Sequence, residues 1–364
     1  MEQPKILVYS GASTPYSGGF AKAKRVINAM HERGLEMEVV TIATDYNLKS
    51  LRRFQIPVNH MIPCGEDMYR AFDDTLRHTD YDMIVSFVPH TYVLNDAVSR
   101  GKKAVIIDGG APDRITEKRS PYWGEVFRAI DSYIMTCYFD FTLPNVVLQQ
   151  FQGVPLEVRS QPVDRATYLR LKKVRQESQG KKLITLLMNG IYADEDVILL
   201  ENGGLLTHHQ YDEVLTLLRN LSGFRKKEYS LVVEQKVSEK INLNGELQPM
   251  DFISQEAMLD LIAASDATIS RAARSVSAFE AALLCQNLIY CIAPKDYMCE
   301  WHSAQQAHEL GLAPNMDSDD PDLAEKIIQH IKEGHDGKSK RIAEWERMDK
   351  ERNIIDRLIE IAFR

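Results

Sequence analysis

Along the first half of the chain, short apolar runs rich in β-branched residues alternate with stretches whose apolar residues recur at helical spacing. "KILVYSG" is followed by "FAKAKRVINAMHERG" and "MEVVTIA"; then come "YDMIVSFVP", "TYVLNDAVSRG", "KKAVIIDGG" and "SYIMTCYF". Apolar strands separated by amphipathic helices are the pattern of a parallel sheet covered on both faces. The pattern predicts a doubly wound α/β domain.

Between Val163 and Gly180 the apolar pattern lapses into a charged stretch, and "KLITLLMNG" opens a new strand. The alternation then resumes: helix "HHQYDEVLTLLRNL", strand "YSLVVEQ", helix "SQEAMLDLIAAS", strand "ATISRA", helix "SAFEAALL", strand "NLIYCIAP" and helix "SAQQAHELG". The predicted fold class is therefore α/β, with two doubly wound, Rossmann-like domains facing a cleft. Their predicted extents are 1–163 and 181–335, joined by a linker over 164–180. Residues 336–364 read as one charged amphipathic helix, with Ile342, Trp345, Met348, Ile354, Ile355, Leu358 and Ile361 on its apolar side, packing against one of the domains. Ligands of such folds bind in crevices at the carboxyl ends of strands.

A length of 364 residues agrees with two domains of roughly 100 to 200 residues each. With 44% hydrophobic and 26% charged residues, each half can bury a core. The net charge of −8 supplies no global basic field, which argues against a nucleic-acid partner and requires any anionic ligand to find a local basic site. Five cysteines without CxxC spacing read as reduced, mostly buried thiols. No signal-peptide pattern opens the sequence and no run approaches the roughly 20 apolar residues of a membrane span. The expectation is a cytoplasmic protein with no transmembrane segment.

The stretch from Ser265 to Pro294 concentrates the chemistry. A strand ends in a polar turn carrying Ser270, Arg271, Arg274 and Ser275; a helix bearing Ser277 and Glu280 follows, then a second strand. A strand that opens a helix through such a turn can hold an anion, because unpaired N–H groups and the helix dipole point outward there. The bland alternatives are surface arginines of an ordinary βα turn, serines that only cap the helix, and a solvated glutamate.

The order "MLDLIAASDATISRA", "SAFEAALL", "NLIYCIAP", "KDYMCEWHSAQQAHELGLA" resembles the GT-B glycosyltransferases, in particular the group around the lipid-linked N-acetylglucosaminyltransferase MurG. In that group a Ser or Thr stands three residues before a glutamate, as Ser277 stands before Glu280, and a segment similar to "SAQQAHELGLA" closes the pattern. The resemblance implies a hexosyl- or N-acetylhexosaminyl-transferase whose second domain binds a nucleotide-diphosphate-sugar, a UDP-sugar first among them. It implies that Glu280 accepts hydrogen bonds from the ribose, that the turn from Ser270 to Ser277 holds the diphosphate, and that Asp296 and Glu300 lie in the loop meeting the donor sugar. Asn189 and Gly190 would approach the donor at the end of that domain's first strand. In the first domain, "YSGASTPYSGGFAKAKRVINAM" resembles the group's glycine loop, with Gly11, Gly18 and Gly19 on the acceptor side. Phe20 and Ala21 stand where a histidine is often found, Cys285, Gln286 and Asn287 replace a Gly-x-Pro, and Glu300 replaces a glutamine.

Inverting transfer needs a base for the acceptor hydroxyl. Asp108, at the end of "AVIID", and His90, at the end of "MIVSFVPH", occupy strand ends and are the two candidates; an Asp before Gly-Gly is also a common turn residue. Asp113 and Arg114 are weaker candidates for acceptor contacts. His208 and His209, being adjacent, point about 100° apart on a helix and make no natural metal pair. Asp194, Glu195 and Asp196 lack the placed glycine and terminal glutamate of a calcium loop. The reading therefore includes no cofactor and no metal, and an acceptor that is a small molecule or lipid-linked. Its alternatives are a nucleotide-sugar hydrolase or epimerase on the same fold, and a noncatalytic nucleotide-sugar-binding or scaffolding protein.

Overall fold

This computed structural model of the chain describes residues 3–10, 17–65, 67–87, 91–108, 121–163, 165–171, 182–187, 216–221, 224, 229–234, 248–250, 255–271, 273, 276–292, 298–334 and 336–364. The chain forms two compact units. One holds Met1–Asp140, Asn145–Asp164 and Glu346–Arg364; the other holds Phe141–Pro144 and Arg165–Trp345.

The first unit runs β1 (Ile6–Tyr9), α1 (Ser17–Glu32), β2 (Met37–Ala43), α2 (Asp45–Phe54), β3 (His60–Pro63), α3 (Met68–His78), β4 (Met83–Ser86), α4 (Thr91–Ser99), β5 (Lys103–Asp108), α5 (Pro121–Ala129), β6 (Ser132–Thr136), α6 (Asn145–Gln150) and β7 (Leu156–Arg159). Its seven strands are all parallel in the order β3-β2-β1-β4-β5-β6-β7. Leu7, Val8, Val39, Val40, Ile84, Val85, Val105, Ile106 and Ile134 are fully buried, so consecutive strand residues are covered on both faces. That double covering is why these strands read as unbroken apolar runs.

The second unit contains α7 (Arg165–Leu171), β8 (Lys182–Leu187), β9 (Tyr229–Glu234), β10 (Gln248–Met250), α8 (Gln255–Ala264), β11 (Ala267–Ser270), α9 (Val276–Leu284), β12 (Asn287–Tyr290), α10 (Met298–Glu309) and α11 (Leu323–Glu333). Its five described strands are parallel in the order β10-β9-β8-β11-β12. One face of this sheet packs Ile184, Leu186, Ala267, Ile269, Ile289 and Cys291 into a cluster with Leu217, Leu221, Phe224, Leu323 and Ile327. By strand alternation the opposite face carries Thr185, Leu187, Thr268 and Ser270. There the Thr185 and Ser265 hydroxyls pair at 2.7 Å.

The C-terminal stretch departs from the expected single helix. It forms α12 (Gly337–Glu351) and α13 (Ile354–Phe363), broken at Asn353. Asn353 is extended (φ −68°, ψ 132°); its side-chain oxygen accepts the Ile355 N–H at 2.7 Å and its amide nitrogen donates to Asp349 at 2.8 Å. An Asn that caps a new helix ends the old one, so the apolar spacing continues while the axis restarts. Trp345, Met348, Ile354, Ile355, Leu358 and Ile361 are buried as the periodicity predicts. In the first unit α13 is tied to β7 by Arg357, whose Nε and Nη2 donate to Glu157 at 2.8 and 2.6 Å, and to β5 by Lys103, which donates to the Ala362 carbonyl at 3.0 Å.

Candidate functional site

In the second sheet the chain passes from β8 outward to β9 and β10, then returns to the other side of β8 with β11 and β12. The order reverses between β8 and β11, and such a switch point leaves a crevice at the carboxyl ends of the two strands. Leu187 and Ser270 end those strands side by side, and the Arg271 N–H extends the ladder by donating to the Leu187 carbonyl at 3.4 Å. The turn singled out in the sequence therefore starts at the switch point.

Ser270 is fully buried and its carbonyl accepts the Cys291 N–H at 3.0 Å. Arg271 is half-buried. Burial pushes the Cys291 thiol up to about 12, a rise that the positive charge of Arg271 opposes and the negative charge of Asp317 adds to. The segment after β12 is held by Asn315, whose side chain accepts the Ile292 N–H at 3.2 Å.

The helix that follows, α9, is buried at every residue except Ser277, which is half-buried. Such a helix lies within the protein, and its polar residues stand out for that reason. Glu280 is only 4% exposed. A carboxylate this deep has to be hydrogen-bonded or paired, and one that reaches a crevice can accept from two neighbouring hydroxyls.

The carboxyl end of α9 is closed by a cation. Arg341, 1% exposed, donates to the carbonyls of Ala282 (2.6 Å), Cys285 (2.6 Å), Gln286 (3.2 Å) and, from another stretch, Leu312 (2.9 Å). The last carbonyls of a helix lack intrahelical partners, and a guanidinium there also complements the helix dipole. Gly337 leaves the space: a Cβ at that residue would lie 2.7 Å from Arg341 Nη1 and 3.1 Å from the Leu312 carbonyl.

Two sequence expectations change. Glu300 does not sit in a loop; it lies in the first turn of α10, 4% exposed, and accepts the Ala273 N–H at 2.6 Å. Gly18 and Gly19 belong to the first turn of α1, which begins at Ser17, because that helix starts before the Phe20 at which the apolar pattern becomes visible. Asp108 does end β5, opposite Met135 of β6. His90, Asn189, Gly190, Arg274, Ser275, Asp296 and Gly11 lie outside the described residues, as do Asp113, Arg114, Asp194, Glu195, Asp196, His208 and His209.

In the first sheet the order reverses between β1 and β4. Their ends carry Ser10 and Ser86, both buried. An aromatic chain runs from Tyr9 through Phe72 and Tyr92 to Tyr69, with centroids 5.7, 6.0 and 5.0 Å apart. The Tyr92 hydroxyl donates to Asp73 at 2.7 Å, and burial together with that carboxylate raises its pKa to about 12. Helix α1 buries two basic residues, Lys22 and Arg25.

Sequence reasoning missed Arg341, Lys22 and Arg25, since charge is ordinarily read as surface. The signal for Arg341 was present: it stands four residues before Trp345 and seven before Met348, on the buried side of its helix. Among the described side chains Cys137, Cys285 and Cys291 are buried free thiols and Cys64 is an exposed one. No described helix is long and apolar enough to cross a membrane.

No family model and no curated protein sequence matches this chain. Solved structures do match it. The spinosyn forosaminyltransferase SpnP aligns over 100% of both chains at 12% identity with a TM-score of 0.64. MurG of Acinetobacter baumannii aligns over 100% of this chain and 99% of its own at 10% identity and a TM-score of 0.57. A UDP-GlcNAc 2-epimerase from Neisseria meningitidis, solved with UDP-GlcNAc bound, aligns over 99% of each chain at 12% identity and a TM-score of 0.60. The fold is thus that of the GT-B glycosyltransferases, and UDP-GlcNAc 2-epimerases share it.

Proposed function

We propose that this chain is a glycosyltransferase that moves a sugar from a nucleotide-diphosphate-sugar, a UDP-sugar foremost, to an acceptor hydroxyl. The observation that carries the reading is a coincidence of place. The Ser/Arg turn and the helix holding Glu280 begin at the switch point of the second sheet, where a fold of this kind binds its ligand.

In this reading Glu280 accepts from the ribose hydroxyls, while Arg271, Arg274, Ser275, Ser277 and the opening of α9 receive the diphosphate. Asn189, Gly190 and Asp296 complete the donor side. Gly11, Gly18 and Gly19 serve the acceptor side in the first unit. The acceptor oxygen forms a bond to the anomeric carbon as its proton passes to a base, Asp108 or His90. The bond from that carbon to the phosphate oxygen breaks, and the diphosphate leaves with the electron pair, its charge offset by arginine and backbone N–H groups. Attack opposite the leaving group inverts the anomeric centre. A metal is not called on in these steps.

A second reading is a nucleotide-sugar epimerase, favoured by the UDP-GlcNAc 2-epimerases among the structures of like fold. The experiment that separates these readings starts with thermal stabilisation by UDP-, GDP-, CDP- and dTDP-sugars and their free diphosphates, because a ligand that binds only the native state raises its apparent stability. A selective response, weakened in Glu280→Ala without loss of fold, supports the donor site; silence across the panel refutes it. With the selected donor, release of nucleoside diphosphate that depends on an added acceptor identifies a transferase. A changed sugar without acceptor identifies an epimerase, and binding without turnover a noncatalytic protein. Unchanged turnover in both Asp108→Asn and His90→Ala would remove those two residues as bases.

A further inference from the structure

Ala273, between β11 and α9, is fastened to α10. Ala273, midway between Ser270 and Val276 and 1% exposed, gives its N–H to the Glu300 carboxylate at 2.6 Å. A buried hydrogen bond from an amide to a carboxylate is short and strong, and the low local dielectric strengthens it further. Glu300 itself stands on a well-anchored element. In α10 Ser303, Ala304 and Ala307 are buried, and Gln306 pairs both ways with the backbone of Thr142, at 2.8 and 2.7 Å.

The Glu300 oxygen is already an acceptor, taken up by the Ala273 N–H, and phosphate oxygens are acceptors too, so the contact observed gives Glu300 no direct hold on a diphosphate. It can fix the turn whose remaining groups hold one. We infer that Glu300 is a positioning residue for the diphosphate: it locks the middle of the turn through the Ala273 amide and does not contact the donor sugar. This inference rests on the nucleotide-sugar reading above. It assigns Glu300 the task of presenting an already shaped turn, so that binding does not have to order it.

The test uses the full chain and three probes: the nucleotide-sugar selected by the panel, its free nucleoside diphosphate, and the bare nucleoside, each titrated calorimetrically. Glu300→Ala and Glu300→Asp withdraw the acceptor; Glu300→Gln keeps an acceptor oxygen at the same reach. In the first two, affinity for the diphosphate and the nucleotide-sugar is expected to fall together by about tenfold, roughly the effect of one hydrogen bond. Nucleoside affinity stays within about twofold, and Glu300→Gln restores binding. If Glu300→Ala does not fold, the Asp and Gln variants carry the comparison.

Equal loss for nucleoside and diphosphate would mean a general structural role and overturn the inference. A loss confined to the nucleotide-sugar would mean that Glu300 touches the sugar, and would overturn it too, as would unchanged diphosphate binding in all variants. Failure of the unaltered protein to bind any probe would instead refute the nucleotide-sugar reading, and the positioning role with it.

Discussion

Replacing Arg341 with Met keeps the buried volume and removes the cation that closes α9. Four carbonyls, those of Ala282, Cys285, Gln286 and Leu312, lose a charged donor inside the second unit. At the low end of about 1 kcal/mol for each orphaned acceptor, the loss comes to about 4 kcal/mol. That lies within the roughly 3–5 kcal/mol typical of breaking a buried charged contact by removing one partner. Lysine would keep the charge but not the planar fork that reaches carbonyls from two separate stretches, so Arg341→Lys is expected to recover less than half of it. Urea unfolding followed by tryptophan fluorescence is the assay, and Trp345, buried one turn further along the same helix, is a local reporter. The expected result is a transition moved to lower urea at unchanged slope. A shift of Arg341→Met worth less than about 1 kcal/mol would refute the view that the guanidinium holds α9 closed.

Gly337→Ala, which in an ordinary helix would gain up to about 1 kcal/mol, is expected to destabilise by about 1–3 kcal/mol here because the added Cβ meets Arg341 and the Leu312 carbonyl. A double-mutant cycle should show that cost shrinking in the Arg341→Met background. In the first unit, burial pushes the Glu157 carboxyl up, but hydrogen bonds from Arg357, Arg159 and Ser132 outweigh it and leave the pKa below the ordinary glutamate value. Its contribution is therefore present in full above the unfolded pKa of about 4.3 and is lost as pH falls through the lowered folded value. Urea midpoints measured from pH 7 to pH 3 should fall more steeply in the unaltered protein than in Glu157→Gln; parallel curves would deny Glu157 that role.

What could be read from the sequence follows from where each strand sits. β1, β2, β4, β5, β6, β8, β9 and β11, covered on both faces, all appear as apolar runs, and β12 does so at one edge. The strands that the pattern does not single out, β3, β7 and β10, are edge strands of three or four residues carrying His60, Glu157, Arg159 or Gln248. A short edge strand needs little apolar surface and leaves little periodicity. The strand-turn-helix order around Ser270 and Glu280 was legible because two apolar runs flank a polar stretch. The burial of Arg341, Glu300 and Glu280 was not, because a side chain's charge suggests water until the partner that replaces water is known.

The grouping of Glu346–Arg364 with the first unit has a consequence for synthesis of the chain. Glu157 emerges from the ribosome some two hundred residues before Arg357, and the carboxyl end of α9 emerges well before Arg341. Neither unit can finish its packing until residues 337–364 have been made. A nascent or proteolytically clipped first unit would therefore carry a bare face where α13 belongs, and completion of both units awaits α12 and α13.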